Sequence, residues 1–401
     1  MTDKKKFAHL AALPDTPKWE ALSARETPLY ERESMRDCFY RDYTRILHSS
    51  AFRRLKHKTQ VFPHVENDHI CTRMEHVLHV ESVSTTIAEN LGLSTHLTRA
   101  IALGHDIGHA PFGHQGEKVL DRISREALEL PFWHEQNGLR FADDIELLED
   151  PWRVQHNLDL TYAVRDGIIS HCGEVDENGL RPRDALIPLS DFDRPGAMQS
   201  ATWEGCVVKL SDKIAYVGRD IEDADALGML GDEGRDALAE LQKEFGIDAL
   251  NTTGIMHEMI CDICDYSTPE RGICLSPRCA ALMRKTKELN YTYIYQNPRF
   301  EPFLRYSDLV LTEVFRALTD GYTGEPYLVA SPEKIRRMPT LFGGFDNFVR
   351  PYLDRPLAGY DNRKIYGDLT DCRLFGRAAL DYISGMTDAY LIRAYGELVS
   401  F

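Results

Sequence analysis

Apolar residues recur every three or four positions along most of this chain. From Asp68 to Leu91 the series Ile70, Met74, Val77, Val83, Ile87 and Leu91 predicts a helix, with Gly92 as its stop. Ser94 reads as the N-cap of a second helix through Leu97, Ile101 and Leu103. A third is expected over 114–130, ended by Pro131, and a fourth from Thr161 to His171. Residues 173–200, rich in Gly, Pro and Asp, read as a long surface loop. Helical spacing resumes from Trp203 to Leu227, where Val207, Leu210, Ile214, Val217 and Ile221 fall on one side. More helices are expected at 232–244, 252–266, 279–289, 298–319 and 369–397. Residues 1–30, with Pro14, Pro17 and Pro28, read as an arm carrying one short helix. Strict alternation is rare, and no strand–helix–strand unit with a Gly-rich turn appears. The predicted fold class is all-α.

The chain has 401 residues, enough for a large core, and 43% of them are hydrophobic. Lys and Arg number 47 against 63 Asp and Glu, a formal net charge of −16. That balance argues against wrapping duplex DNA or lying on an anionic membrane, but leaves room for a local basic pocket. No apolar run is long enough for a membrane span, and the N-terminus lacks the apolar core of a secretory signal. The nine scattered cysteines read as free thiols, which suits a cytoplasmic location. Cys261, Cys264, Cys274 and Cys279 have a loose zinc-like spacing that matches no standard module. Residues 31–60 are dense in arginine, with Arg32, Arg36, Arg41, Arg45, Arg53 and Arg54. They read as an ion-paired helix face or as a phosphate-facing surface.

Histidine changes the picture most. Eleven of the fifteen histidines lie between positions 48 and 134. A single histidine on a helix is usually structural, so the spacing carries the argument. Arg73, His76 and His79 are three apart and share a helix face; spacing does not choose between the two histidines. His105-Asp106 sits at a helix end, where both side chains can reach one ion. Gly108, Pro111 and Gly113 force an irregular turn that brings His109 and His114 near the same point. His114 and Glu117 are three apart, so the carboxylate can hold the imidazole in one tautomer. Asp212, Tyr216 and Asp220 line one helix stripe, which by itself is as consistent with solvent exposure as with a site. Trp133-His134-Glu135 is a weaker signal.

The order His76, His105-Asp106, Asp212 resembles the H…HD…D signature of the HD-domain metal-dependent phosphohydrolases. The resemblance narrows further. The run Arg45 to Leu55, then Lys58-Thr59-Gln60-Val61-Phe62, Thr72 to His76, His105 to Glu117 and Asp212 to Asp220 resemble bacterial deoxyguanosinetriphosphate triphosphohydrolase-like proteins. The resemblance spans about residues 30–225. It implies an HD-domain helical core over 31–230, an N-terminal arm over 1–30, and a helical part over 231–401 for base recognition and oligomer contacts.

The resemblance also implies roles. His76, His105, Asp106 and Asp212 would be metal ligands, for one divalent ion per active site. Mn is foremost, with Mg, Fe, Co, Ni and Zn open; two imidazoles and two carboxylates favour the transition metals over Mg. His114 with Glu117 would be the catalytic pair, with His109 and His134 beside the phosphates. Arg73 and Lys213 would contact phosphate, Tyr216 and Asp220 the sugar 3′-OH, Gln60 the sugar, and Arg54 would be a neighbour. The expected reaction converts a deoxynucleoside triphosphate (dNTP) to deoxynucleoside and inorganic triphosphate. The expected assembly is a homo-oligomer, a hexamer in many relatives, with a dNTP or single-stranded DNA as effector and no membrane partner. The competing readings are another HD phosphohydrolase, such as a 5′-nucleotidase or a (p)ppGpp hydrolase, and a nucleotide sensor without turnover.

Overall fold

The computed structural model describes residues 5–29, 35–63, 67–172, 178–247 and 251–400. The principal helices are α1 (Cys38–His48), α2 (Arg73–Leu91), α3 (Thr95–Gly104), α4 (Gly113–Leu128), α5 (His134–Arg140), α6 (Tyr162–Ser170), α7 (Trp203–Ala226) and α8 (Gly231–Phe245). They continue with α9 (Thr252–Tyr266), α10 (Pro277–Leu289), α11 (Glu301–Thr319), α12 (Cys372–Ser384) and α13 (Asp388–Val399). The described strands are β1 (Leu147–Glu149) and β2 (Gln155–Asn157), an antiparallel hairpin pairing Leu148 with His156. The fold is all-α.

Two helices depart from the sequence pattern. The apolar periodicity begins before Thr72, but α2 starts at Arg73. There the Thr72 side chain accepts from Glu75 N and the Glu75 side chain takes Thr72 N–H, a capping box that fixes the start. The single helix expected over 369–397 is two. Gly385 and Met386 leave helical pairing, and Thr387 caps α13 through Tyr390 N. Ser94 does cap α3, accepting from Leu97 N. The proline-bearing arm contains a four-residue helix, Trp19–Leu22. All nine cysteines are free thiols.

The chain divides into two compact units, each assembled from separate segments. Unit 1 comprises Met1–Thr44, Gln60–His105 and Leu160–Phe300. Here α2 packs on α3, α7 and α9, and α3 on α6 and α7. Val83, Ile87 and Leu91 of α2 meet Val207, Ile214 and Val217 of α7 and Ile255, Met259 and Ile263 of α9 in one buried cluster. The apolar stripes read from the sequence are therefore core faces. The arm joins this cluster: Phe7 is fully buried, edge-on to Trp203 at 5.0 Å, and its N–H bonds Leu91 O at 2.9 Å.

Unit 2 comprises Arg45–Thr59, Asp106–Asp159 and Glu301–Phe401. In it α11 packs on α4, α12 and α13, and α12 packs on α4. The hairpin belongs to this unit and is anchored by Arg45, which donates to Leu158 O at 2.6 Å and Asn157 O at 3.0 Å. Asp381 on α12 is fully buried and receives Arg140, Arg377 and the Tyr366 hydroxyl.

Candidate functional site

Three of the expected metal-side residues come together within unit 1. α2 supplies His76, α7 supplies Asp212, and His105 follows the end of α3. His76 Nε2 is 2.9 Å from Asp212 Oδ1, and His105 Nε2 is 3.9 Å from the same oxygen. One potential ligand atom from each lies within 4.8 Å of the others, a spacing that could hold one metal ion. His105 Nδ1 lies 2.7 Å from Ala102 O; donation there makes Nε2 the lone-pair nitrogen turned to Asp212. The donor set of two imidazoles and a carboxylate fits a divalent transition ion. His76 and His79, equal by spacing, now separate: His79 belongs to none of the candidate ligand groups among the described residues. Cys261, Cys264, Cys274 and Cys279 form no such group either.

Around this cluster, His171 packs edge-on to His105 with ring centroids 4.9 Å apart, and its own Nδ1 is 2.7 Å from Ile168 O. The fully buried Arg73 opens α2 and donates to Gln60 O at 3.3 Å. Lys213 and Tyr216 are half-buried on α7. Asp220 is buried, so the acidic stripe is not a solvated face at that end. Burial pushes its carboxyl up to about 7, against the opposing hydrogen bond from Tyr295. The Tyr295 hydroxyl donates to Asp220 Oδ2 at 2.5 Å. Sequence reasoning gave no sign of Tyr295 or of His171 beyond its place at a helix end.

A second cluster lies within unit 2. His109, His114, Glu117 and His134 each bring a titratable atom within 4.8 Å of the others. α4 carries His114 and Glu117, and α5 opens with His134. Glu117 Oε2 is 3.0 Å from His134 Nδ1 and 3.4 Å from His114 Nδ1, and Glu117 Oε1 accepts His134 N–H at 3.2 Å. Burial pushes the Glu117 carboxyl up, but His134 and His114 outweigh it and hold the group well below the carboxylate range. The carboxylate is therefore ionised, and the two imidazoles face a fixed negative charge. The His109 ring lies 3.9 Å from that of His134 and 5.2 Å from that of His114. His114 is largely exposed, its side chain at 68%, so solvent or a ligand can reach it. Asp106, the residue after His105, is buried with Oδ1 3.1 Å from His109 Nδ1.

The turn that builds this cluster is dense in constraint. A Cβ at Gly108 would fall 2.1 Å from both His134 O and Gly138 N, so only glycine lets α5 approach. Asn137 Nδ2 donates to Gly108 O at 2.7 Å and fastens the same contact. Arg54, also in this unit, is paired with Glu146 at 2.8 Å. The arginines of 31–60 do not act as one surface: Arg41 and Arg45 are buried, Arg53 is exposed, and Arg32 lies outside the described residues.

The HD domain family matches residues 73–217, from the first residue of α2 to the middle of α7. A deoxyguanosinetriphosphate triphosphohydrolase-like protein of Caldanaerobacter subterraneus subsp. tengcongensis is 33% identical over 370 residues, covering 92% of this chain and 86% of the relative. The chain belongs to this family. A like-named protein of Desulfatibacillum aliphaticivorans is 35% identical over 309 residues, covering 75% of this chain and 80% of the relative. One from Rickettsia prowazekii is 28% identical over 395 residues, covering 94% of each. Membership makes the chain a phosphohydrolase of the HD class, a class that binds divalent metal. No helix among the described residues is long and apolar enough to cross a membrane.

Proposed function

We propose that this chain hydrolyses deoxynucleoside triphosphates to deoxynucleoside and inorganic triphosphate. The observation that carries the reading is the Glu117 carboxylate, gripped by His134 and 3.4 Å from the exposed His114. Cleavage between the α-phosphorus and the 5′-oxygen leaves an alkoxide, a poor leaving group that needs a proton. An imidazole beside a fixed carboxylate is suited to deliver it. His114 is assigned that role, with Glu117 as its orienting partner and His109 and His134 beside the phosphates. Water contributes its hydroxide to the α-phosphorus and its proton replaces the one spent on the 5′-oxygen.

His76, His105 and Asp212 are assigned to a divalent ion, with Asp106, next in the chain, as fourth ligand. When bound, that ion supplies Lewis acidity and lowers the pKa of water. Arg73 and Lys213 are assigned to the phosphates, whose roughly four negative charges call for charge-assisted contacts. Tyr216, Asp220 and Gln60 are assigned to the sugar. The relatives are named for the triphosphohydrolysis of deoxyguanosine triphosphate, which supports triphosphate as product and makes dGTP the first substrate to test.

The test is incubation with each of the four dNTPs and Mn²⁺, singly and mixed, with assay of triphosphate and deoxynucleoside. Triphosphate from a single dNTP supports the reading and fixes the base. Release of phosphate or pyrophosphate instead replaces it with another HD chemistry. Tight binding without any product, in any divalent metal, replaces it with a sensor.

A further inference from the structure

The helix that carries His114 and Glu117 begins in an unusual way. Its N-cap position is Phe112, with φ 65° and no side-chain cap. Gly113 follows with φ 59°. Two successive left-handed residues are strained when the first carries a bulky ring, and such strain persists only where surrounding contacts over-determine it. Phe112 itself is buried and packs edge-on to Phe303 at 5.4 Å.

The contact that holds the backbone comes from α13, 276 residues later. Asp388 Oδ1 accepts the Phe112 N–H at 2.9 Å. Asp388 Oδ2 accepts the Thr59 N–H at 3.0 Å and the Thr59 hydroxyl at 2.6 Å. One buried carboxylate thus ties three chain segments of unit 2 with both its oxygens. It also places a negative charge at the start of α4, where the helix dipole favours it. Beside it, the buried Lys58 donates to His109 O and, at 3.1 Å, to Ser384 O. The turn is therefore held at its first histidine by Lys58 and at its strained exit by Asp388.

We propose that Asp388 is a positioning residue for the His114–Glu117 pair, acting through the Phe112 backbone. It touches neither histidine nor Glu117. It fixes the left-handed exit of the turn, and the exit sets where the first turn of α4 points. This inference rests on the proposed role of His114 and Glu117.

The test compares Asp388→Ala, Asp388→Asn and wild type. Hydrogen exchange measured by mass spectrometry reads the turn without requiring turnover. In D388A, exchange is expected to rise in the peptide covering 106–118 while the unit 1 helices keep their protection. Metal content is expected to stay at the wild-type level. In the dNTP assay kcat is expected to fall about 10- to 100-fold, with KM changed only a few-fold, since small misplacements of reacting groups carry penalties of that order. D388N keeps one acceptor and is expected to recover part of both losses. Exchange unchanged at 106–118, or raised throughout the chain, would overturn the proposal. So would a localised rise with kcat at the wild-type level. Wild-type protein that releases no triphosphate overturns the parent reading instead, and the exchange result still decides whether Asp388 holds the turn.

Discussion

Glu117 holds His134 with both carboxylate oxygens, Oε2 at 3.0 Å from Nδ1 and Oε1 at 3.2 Å from the backbone nitrogen. The second contact ties the first residue of α5 to the same carboxylate that its ring meets, so Glu117 fixes where the His134 backbone sits as well as which way its Nδ1 faces. The same Oε2 is 3.4 Å from the more exposed His114. One carboxylate therefore serves a fixed histidine and an accessible one.

Replacing that charge is the direct probe. Glu117→Gln keeps the shape and loses the charge that holds the imidazoles in place. Under the proposed roles, kcat is expected to drop about 100-fold or more, the usual scale for acid–base groups, with KM little changed. Steady-state kinetics beside a thermal melt checks it; a fully active E117Q protein would remove the pair from the chemistry.

The metal cluster makes a sharper distinction between neighbours. Asp212→Ala and His76→Ala are expected to lose bound metal and about 1,000-fold or more in turnover. His79→Ala, three residues from His76 on the same helix, is expected to retain its metal. Elemental analysis of the three purified variants decides; equal retention by H76A and H79A would place the ion elsewhere.

Gly108→Ala tests the close approach of α5. The added Cβ would sit 2.1 Å from His134 O and Gly138 N, and backbone atoms cannot yield as a side-chain tip can. The expected cost is about 1–3 kcal/mol or more, together with a displaced His134. Urea unfolding gives the first quantity. A variant as stable as wild type would show that the turn relaxes.

Glu204 offers a pH signature. Its carboxyl is fully buried, accepts Ala12 N–H and Ser94 N–H at 2.9 Å each, and burial raises its pKa. The unfolded chain ionises this group at the ordinary carboxylate value, the folded protein only at higher pH. Stability contributed by the group is thus complete below the ordinary value and declines as pH rises towards the folded one. Glu204→Gln removes that decline. Melting temperatures of both proteins between pH 4 and pH 8 are expected to converge at the acid end and to separate in favour of E204Q at the alkaline end; parallel curves would mean that the carboxyl is not perturbed.

Much of this architecture is legible in local pattern. The stripe Val207, Ile214, Val217 and the cap Ser94 depend on neighbours a few residues away, and the structure keeps them. The candidate metal residues are legible through the resemblance to the HD phosphohydrolases; spacing alone leaves His76 and His79 equal and Asp212 on a stripe open to a solvated reading. What local pattern could not show were pairs joined by the fold alone. Tyr295 reaches Asp220 across 75 residues, and Asp388 reaches Phe112 across 276. Neither Tyr295 nor Asp388 sits in a spacing that marks it. The break at Gly385 interrupts what reads in the sequence as one helix over 369–397, and the Thr387 cap marks the restart. The choice of His76 over His79 likewise needed the position of α7.

The segmented make-up of unit 2 has a consequence for synthesis. Its pieces are 45–59, 106–159 and 301–401, whereas every piece of unit 1 has been translated by Phe300. α4 is translated early, yet the helices it packs against, α11 and α12, come almost last. On the ribosome its apolar face, Val119, Leu120 and Ile123, waits uncovered for well over a hundred further codons. A nonsense mutation anywhere before Asp388 leaves the strained start of α4 without its anchor. Asp388 opens the last of the described helices, so a chain terminated between α12 and α13 keeps Thr59 and Phe112 but lacks the carboxylate that joins them.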